Sequence, residues 1–266
     1  VSSISAEIGI IGGTGIYNAE IFSDVSEIKV HTPYGDTSDN VFIGRHANKS
    51  VAFIPRHGKD HRIPPHRINY RANIWALKSL GVTRILAPSA VGSLKIDYKP
   101  GDLVVPDQFI DLTKTRNSTF YEGGKVCHIS MAQPFCSELI NIAQLTLKDL
   151  SFKSHINGTY VCIEGPRFST KAESKYYREV INADIIGMTL IPECVLAREA
   201  EICYISLSTI TDYDVWTEEP VNSKEIIKTL RDNVSKTKEV LAEIISRIPY
   251  ERKQCNCGHS LENSVL

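Results

Sequence analysis

Short apolar runs alternate along this chain with longer stretches in which apolar residues recur at helical spacing. The runs at 8–11, 50–55, 82–87, 103–106, 155–163, 183–188 and 202–210 predict buried strands. More polar strands are expected at 27–31 and 40–44, separated by the turn chemistry of Thr32-Pro33-Tyr34-Gly35. Residues 67–80 predict a helix: Ile68, Ala72, Trp75, Ala76 and Leu80 share one face and Gly81 stops it. Helices are also expected at 134–150, 170–180, 191–200 and 223–248. The last has Ser223 as cap and Ile227, Leu230, Val234, Leu241, Ile245 and Ile248 toward the core. The alternation predicts an α/β fold: a single domain with a central mixed β-sheet flanked by helices, over 1–250. A cysteine-containing tail follows at 251–266.

Polar chemistry gathers where the strands end. The first strand runs into Gly12-Gly13-Thr14-Gly15, glycines that let backbone N–H groups approach an anion. The dinucleotide fingerprint fails, because Asn18 stands where its third glycine belongs, and no Gly-Lys-Ser/Thr follows. Strand 50–55 delivers Arg56 and His57, and strand 82–87 leads to Ser89 and Ala90. Together these ends suit one anion. His57 and His61 have a spacing that would align two metal ligands on a helix, but Gly58, Pro64 and Pro65 oppose a helix and the neighbours are cationic. No metal is therefore expected there. Strand 155–163 runs into Glu164-Gly165-Pro166-Arg167-Phe168-Ser169, where Phe168 offers a face to a planar base. The last central strand ends in Thr211-Asp212-Tyr213-Asp214, two acids able to act on one ligand edge. Anion groups at one side and base-type groups at the other suit a reaction joining an anion to the sugar of a planar heterocycle.

Composition narrows this further. The chain has 266 residues, 42% hydrophobic and 23% charged, enough for one large domain, with no linker or repeat. The formal net charge of -1 points to neither nucleic acid nor an anionic membrane. No apolar run reaches bilayer-spanning length, and VSSISAEIGII lacks a basic region and long apolar core, so a cytoplasmic protein is expected. Five of the seven cysteines, Cys127, Cys136, Cys162, Cys194 and Cys203, sit in apolar stretches. Cys255-Asn256-Cys257 lies in the polar tail. With His259 it admits a zinc site, but it lacks C-x-x-C spacing and an evident fourth ligand; a disulfide is equally open.

The segments GIIGGTGIY, RHG, NYRANIWALKSLG, PGD, DQFID, EGPRFSTKAES, the IGMT–PE pairing and TDYDVW together resemble the methylthioadenosine phosphorylases of the trimeric purine nucleoside phosphorylase family. The resemblance covers nearly the whole chain, and the cysteine-bearing tail is similar to that of the archaeal, heat-stable branch. It implies phosphorolysis of 5′-methylthioadenosine to adenine and 5-methylthioribose 1-phosphate in purine and methionine salvage. Inorganic phosphate is then a co-substrate, and neither cofactor nor metal is needed. It implies phosphate contacts from Thr14, Arg56, His57, Ser89, Ala90 and Thr189. Met188 would lie against the ribose, and Phe168, Ser169, Asp212 and Asp214 would hold the base, with Asp212 and Asp214 catalytic. Ile226 and Ile227 would line the 5′ end. His128 would reach a neighbouring subunit's site in a homo-oligomer, a trimer or a hexamer of paired trimers. Ser223 stands where the family often has a branched apolar residue, which leaves a broader purine nucleoside phosphorylase, acting on adenosine, inosine or guanosine, as the alternative. Disulfides between Cys136 and Cys203 and between Cys255 and Cys257 are expected, although a C-x-C ring is small and strained.

Overall fold

Every residue of the IGIIG run is buried, which is how an apolar stretch that short becomes a central strand. The computed structural model describes residues 4–13, 21–217 and 223–266, without the side chains of 223–226 and 230. Thr14 and the side chains of Ser223 and Ile226 thus lie outside the described residues.

The strands are β1 (Ile8–Gly12), β2 (Ser23–Ile28), β3 (Val41–His46), β4 (Lys49–Pro55), β5 (Arg84–Ser93), β6 (Leu103–Val105), β7 (Gln108–Leu112), β8 (Ser154–Ile156), β9 (Thr159–Ile163), β10 (Ile185–Gly187) and β11 (Cys203–Asp212). The helices are α1 (Tyr70–Ser79), α2 (Ser137–Asp149), α3 (Lys171–Glu179), α4 (Glu193–Glu199) and α5 (Ser223–Arg247). All strands join one mixed sheet in the order β2-β3-β4-β1-β5-β10-β9-β7, and β11 joins β5 to β6, which pairs with β8.

Alternation along the strands divides the core. Tyr204 and Ile210 of β11 face a layer with Ile74 and Leu77 of α1 and Leu196 of α4. Cys203, Ile205 and Leu207 face the opposite layer, with Leu139 and Ala143 of α2 and Leu241, Ile244 and Ile245 of α5. Helices thus cover both faces, as a largely parallel sheet requires.

β5 positions the site. Its start pairs with β1 and its end with β10, while β11 runs beside it from Arg84 to Gly92. Arg84 pairs with both β1 and β11, and Gly92 with both β10 and β11, so β1 and β10 share one edge of β5. Between Leu86 and Gly92 that edge has no strand partner among the described residues. The gap opens at the carboxyl ends of β1 and β4, where ligands bind in open α/β sheets.

Three boundaries differ from the sequence reading. The apolar run 155–163 is two strands, broken where Asn157 takes φ 69 ahead of Gly158. The small residues after Ala87 continue β5 instead of turning, because β11 keeps pairing with them. On α5 the core face begins late: Val240, Leu241, Ile244, Ile245 and Ile248 are buried, whereas Ile227 is 40% exposed at the gap.

The expected disulfides are absent: all seven cysteines are free thiols. Cys203 Sγ stands 3.5 Å from Cys255 Sγ, a contact that crosses the two expected pairs. The tail folds back onto the domain. Arg252 donates to the Glu201 carbonyl (2.8 Å), Ser137 Oγ to the Gln254 carbonyl (3.2 Å), and Val265 bridges Cys127. Among the described residues no helix is long and apolar enough to cross a membrane.

Candidate active site

A cavity of about 630 Å³ fills the gap beside β5. It brings together Gly13, Arg56, His57, Ser89, Ala90, Phe168, Ser169, Met188, Thr189, Asp212, Asp214 and Ile227, residues that the sequence scatters over most of its length. His128 is not among them. It is exposed, held by its backbone N–H to the Ser264 carbonyl at 2.8 Å.

Arg56 leaves β4 directly into the interior and is only 2% exposed. Nε and Nη2 donate to the two carboxylate oxygens of Glu193, each at 2.9 Å. Nη2 also donates to the Ile11 carbonyl (2.8 Å) and Nη1 to the Pro88 carbonyl (3.0 Å). Of five guanidinium hydrogens, one on Nη1 is left over. A Cβ built on Gly13 would stand 3.8 Å from Nη1, so the Gly13 backbone passes close to it. Burial opposes the charge of Arg56, but the Glu193 carboxylate outweighs it and raises the pKa, so the cation is permanent.

Glu193 escaped the sequence reading. Its signal was an acid in the otherwise apolar IPECVLA stretch, a place where a carboxylate stays charged only if a cation meets it. Tyr204 Oη also donates to it, at 2.8 Å.

His57 Nδ1 donates to the Ile63 carbonyl at 2.9 Å, leaving Nε2 as an acceptor. Burial first, then His61 and Arg56, push its pKa down to about 3 against the pull of that carbonyl, so the ring is neutral at pH 7. The His61 ring stacks on it with centroids 4.1 Å apart. Ser89 Oγ lies 3.4 Å from Ser206 Oγ and 3.3 Å from Ser208 Oγ, hydroxyls of β11 that the sequence reading also missed. Among the described residues this end therefore offers the Arg56 guanidinium, the neutral His57 ring with His61 stacked on it, Arg62 and the Ser89 hydroxyl.

The far end is acidic. Asp212 closes β11 and accepts from Thr211 Oγ1 (2.6 Å) and the Asp214 N–H (2.8 Å). Burial pushes its pKa up to about 6; those two donors pull down, and Asp214 adds a small push upward. Asp214, 4% exposed, sits at φ 50, which turns the chain back over Asp212. Its own pKa is raised by burial, against the pull of the Ser174 and Ser169 hydroxyls and the Val215 N–H. The two hydroxyls lie near without hydrogen-bond geometry, so Asp214 Oδ2 and Ser169 Oγ both stand unpartnered at the cavity wall. Phe168 is 38% exposed beside them.

Gly92 holds Asp212 in place by what it lacks. A Cβ there would lie 3.0 Å from Asp212 Oδ1 and from Ile186 Cγ2, and 3.3 Å from the Asp214 nitrogen. Gly92→Ala is expected to push the carboxyl aside by a few tenths of an ångström and lower kcat, by less than the roughly hundredfold cost of a 1 Å misplacement. Thermal stability should change far less. Unaltered turnover in that variant refutes the positioning argument.

The chain is similar to known proteins along nearly its whole length. The model of the phosphorylase superfamily matches residues 7–246. The S-methyl-5′-thioadenosine phosphorylase of Saccharolobus solfataricus is 56% identical over 263 residues, 98% of this chain and 97% of that one. Its counterpart in Nitrosopumilus maritimus is 57% identical over 258 residues, 97% of each chain. Among solved structures, a methylthioadenosine phosphorylase from an antarctic soil metagenomic library superposes with a TM-score of 0.93 at 43% identity, over 99% of this chain and 93% of that one. The methylthioadenosine phosphorylase of Schistosoma mansoni in complex with adenine superposes with a TM-score of 0.89 at 39% identity, over 93% of each chain.

Proposed function

The chain belongs to the S-methyl-5′-thioadenosine phosphorylases of the phosphorylase superfamily, and on that premise we propose how its cavity performs phosphorolysis of methylthioadenosine. The observation that carries the reading is the polarity of one cavity: Arg56, His57 and Ser89 at one end, Asp212 with its raised pKa at the other.

Inorganic phosphate occupies the first end. The spare Nη1 hydrogen of Arg56, the Ser89 and Thr189 hydroxyls, the Ala90 backbone and Thr14 donate to its oxygens. Neutral His57 accepts from a protonated phosphate oxygen through Nε2. The ribose lies over Met188 and the base against Phe168, with Ser169 and Asp214 on its edge. Ile227, which lines the cavity, faces the 5′-methylthio group, and Ile226 is assigned to the same role.

Phosphate is a weak nucleophile, so the bond from C1′ to the base must loosen before the phosphate bond forms. The anion held beside C1′ stabilises the oxocarbenium charge as it grows and is already positioned to attack. The leaving base carries away the bonding electrons, so N7 needs a proton to depart as neutral adenine. Asp212 supplies it, being an acid tuned close to the working pH. When ionised, the same carboxylate accepts from a 6-amino group and repels a 6-oxo group, a mismatch that discriminates by roughly ten-thousand-fold. No metal and no organic cofactor enters these steps.

Residues 1–250 form the catalytic unit in this reading, and 251–266 a tail docked on it. His128, exposed and not part of its own cavity's lining, completes the site of a neighbouring copy in a trimer or in a hexamer of paired trimers. The cytoplasm, where nucleoside and phosphate meet, is the compartment. The test is phosphate-dependent release of adenine from methylthioadenosine, with adenosine and inosine in parallel. Methylthioadenosine should have the highest kcat/KM and inosine almost none. Turnover without phosphate, or inosine as the best substrate, overturns the reading.

A further inference from the structure

Outside the cavity, four sulfurs meet at one point. The Sγ atoms of Cys136, Cys203, Cys255 and Cys257 all lie within 4.8 Å of one another. They come from three segments distant in sequence: the N-cap of α2, the first residue of β11 and the tail. Cys136, Cys203 and Cys257 are buried and Cys255 half-buried. We propose that these four cysteines bind one tetrahedral zinc ion that fastens the C-terminal tail to the domain.

A tetrahedral zinc tetrathiolate with bonds of about 2.3 Å has sulfur–sulfur edges of about 3.8 Å. The 3.5 Å between Cys203 and Cys255 lies just under that edge, and no pair exceeds it by more than about 1 Å. Closing the tetrahedron therefore needs shifts of a few tenths of an ångström to about one. The sequence objection to zinc was the missing C-x-x-C spacing and fourth ligand. The fold removes it: Cys255 and Cys257 supply two ligands across Asn256, and the others arrive from α2 and β11. His259 is no ligand; its ring is exposed and bonded to Glu262 at 2.7 Å. Glu138 reaches only Cys255, whose S–H it accepts at 3.7 Å.

Binding follows a balanced exchange: four thiols and Zn²⁺ give the tetrathiolate dianion and four protons, with no redox step. Soft thiolates select zinc over magnesium or calcium. The dianion has electrostatic support. Cys136 caps the N-terminus of a thirteen-residue helix, where the helix dipole favours negative charge. Arg252 lies against Gly258, next to Cys257, and Arg198 lies within electrostatic range of that sulfur. None of the four cysteines lines the catalytic cavity, so the ion is structural. Beyond the cluster, Val126 and Leu266 exchange backbone hydrogen bonds, so anchoring the tail also backs the segment that carries His128.

The full-length protein, purified without oxygen from zinc-supplemented cells, is expected to carry one zinc per chain by elemental analysis. Replacing zinc with Co²⁺ should produce the intense visible bands of tetrahedral cobalt thiolate. Removing the metal from the wild-type protein should lower Tm, and zinc should restore it. Cys257→Ser should lose the metal while keeping kcat, whereas Cys127→Ser, outside the cluster, should keep it. Should Cys257→Ser fail to fold, the cobalt spectrum and metal stoichiometry of the wild-type chain still decide. A reduced wild-type chain that takes up neither ion overturns the proposal. So does finding two disulfides among these four cysteines in the anaerobic preparation.

Discussion

Asp212→Asn should lower kcat/KM for methylthioadenosine about a thousandfold while inorganic phosphate still binds. Asparagine keeps the shape and one acceptor but has no proton to give N7, and general acid catalysis contributes on that scale. The phosphate groups lie at the other end of the cavity and do not depend on this side chain. The pH dependence follows from the raised pKa, about 6. In the proposed mechanism the protonated form reacts, so activity should fall as pH rises through 6, with about a tenth of Asp212 still protonated at pH 7. That limb should vanish in the asparagine variant. Phosphate titrates near the same range, so only the limb that differs between the two proteins reports on Asp212. Near-normal turnover in Asp212→Asn, or an identical pH profile, removes this residue from the mechanism.

The second large effect is structural. Glu193→Ala should destabilise the fold by about 3–5 kcal/mol, because it strands a buried guanidinium. Arg56 is 2% exposed and Glu193 fully buried, so water cannot replace the lost carboxylate. The carbonyls of Ile11 and Pro88 remain as acceptors but carry no full charge. Tyr204 Oη loses its acceptor as well. Against a typical total of about 5–15 kcal/mol, this is a large share. Glu193→Gln, which keeps the shape and one acceptor, should cost less but still raise the KM for phosphate, since Arg56 loses its charged partner and one of its two bonds to that side chain. Urea denaturation of the three proteins reads the stability, and steady-state kinetics the phosphate effect. A midpoint for Glu193→Ala within experimental error of the wild type would falsify the claim that this ion pair holds Arg56.

Particular residues show where sequence reasoning reached. Strand ends were legible because apolar runs stop where small or charged residues begin, and Arg56 and Asp212 each stand at such a stop, whereas Ser89 follows its apolar run but lies inside β5. Glu193 was not legible as Arg56's partner: nothing in IPECVLA says which cation meets it across the sheet. The late core face of α5 was missed for a similar reason. Ile227 and Val234 continue the apolar periodicity, but they line a cavity, and periodicity cannot tell a core from a ligand site.

The cysteines divide in the same way. Their number and apolar settings were visible, yet the two disulfides expected alongside the family resemblance, Cys136–Cys203 and Cys255–Cys257, are not in the folded chain. Spacing measures distance along the chain, whereas sulfur chemistry depends on distance through space.

The alternating pattern of this sequence by itself determined a mixed sheet between helices, with anion chemistry and acids at its strand ends. Its motifs determined the family. Only the tertiary structure decided which strand ends share a cavity, which carboxylate neutralises Arg56, and that four thiols gather beneath the tail. The physical reason is that hydrophobic periodicity is a local property. The pairing of β5 with β1, β10 and β11, which sets the cavity, is made by residues far apart along the chain.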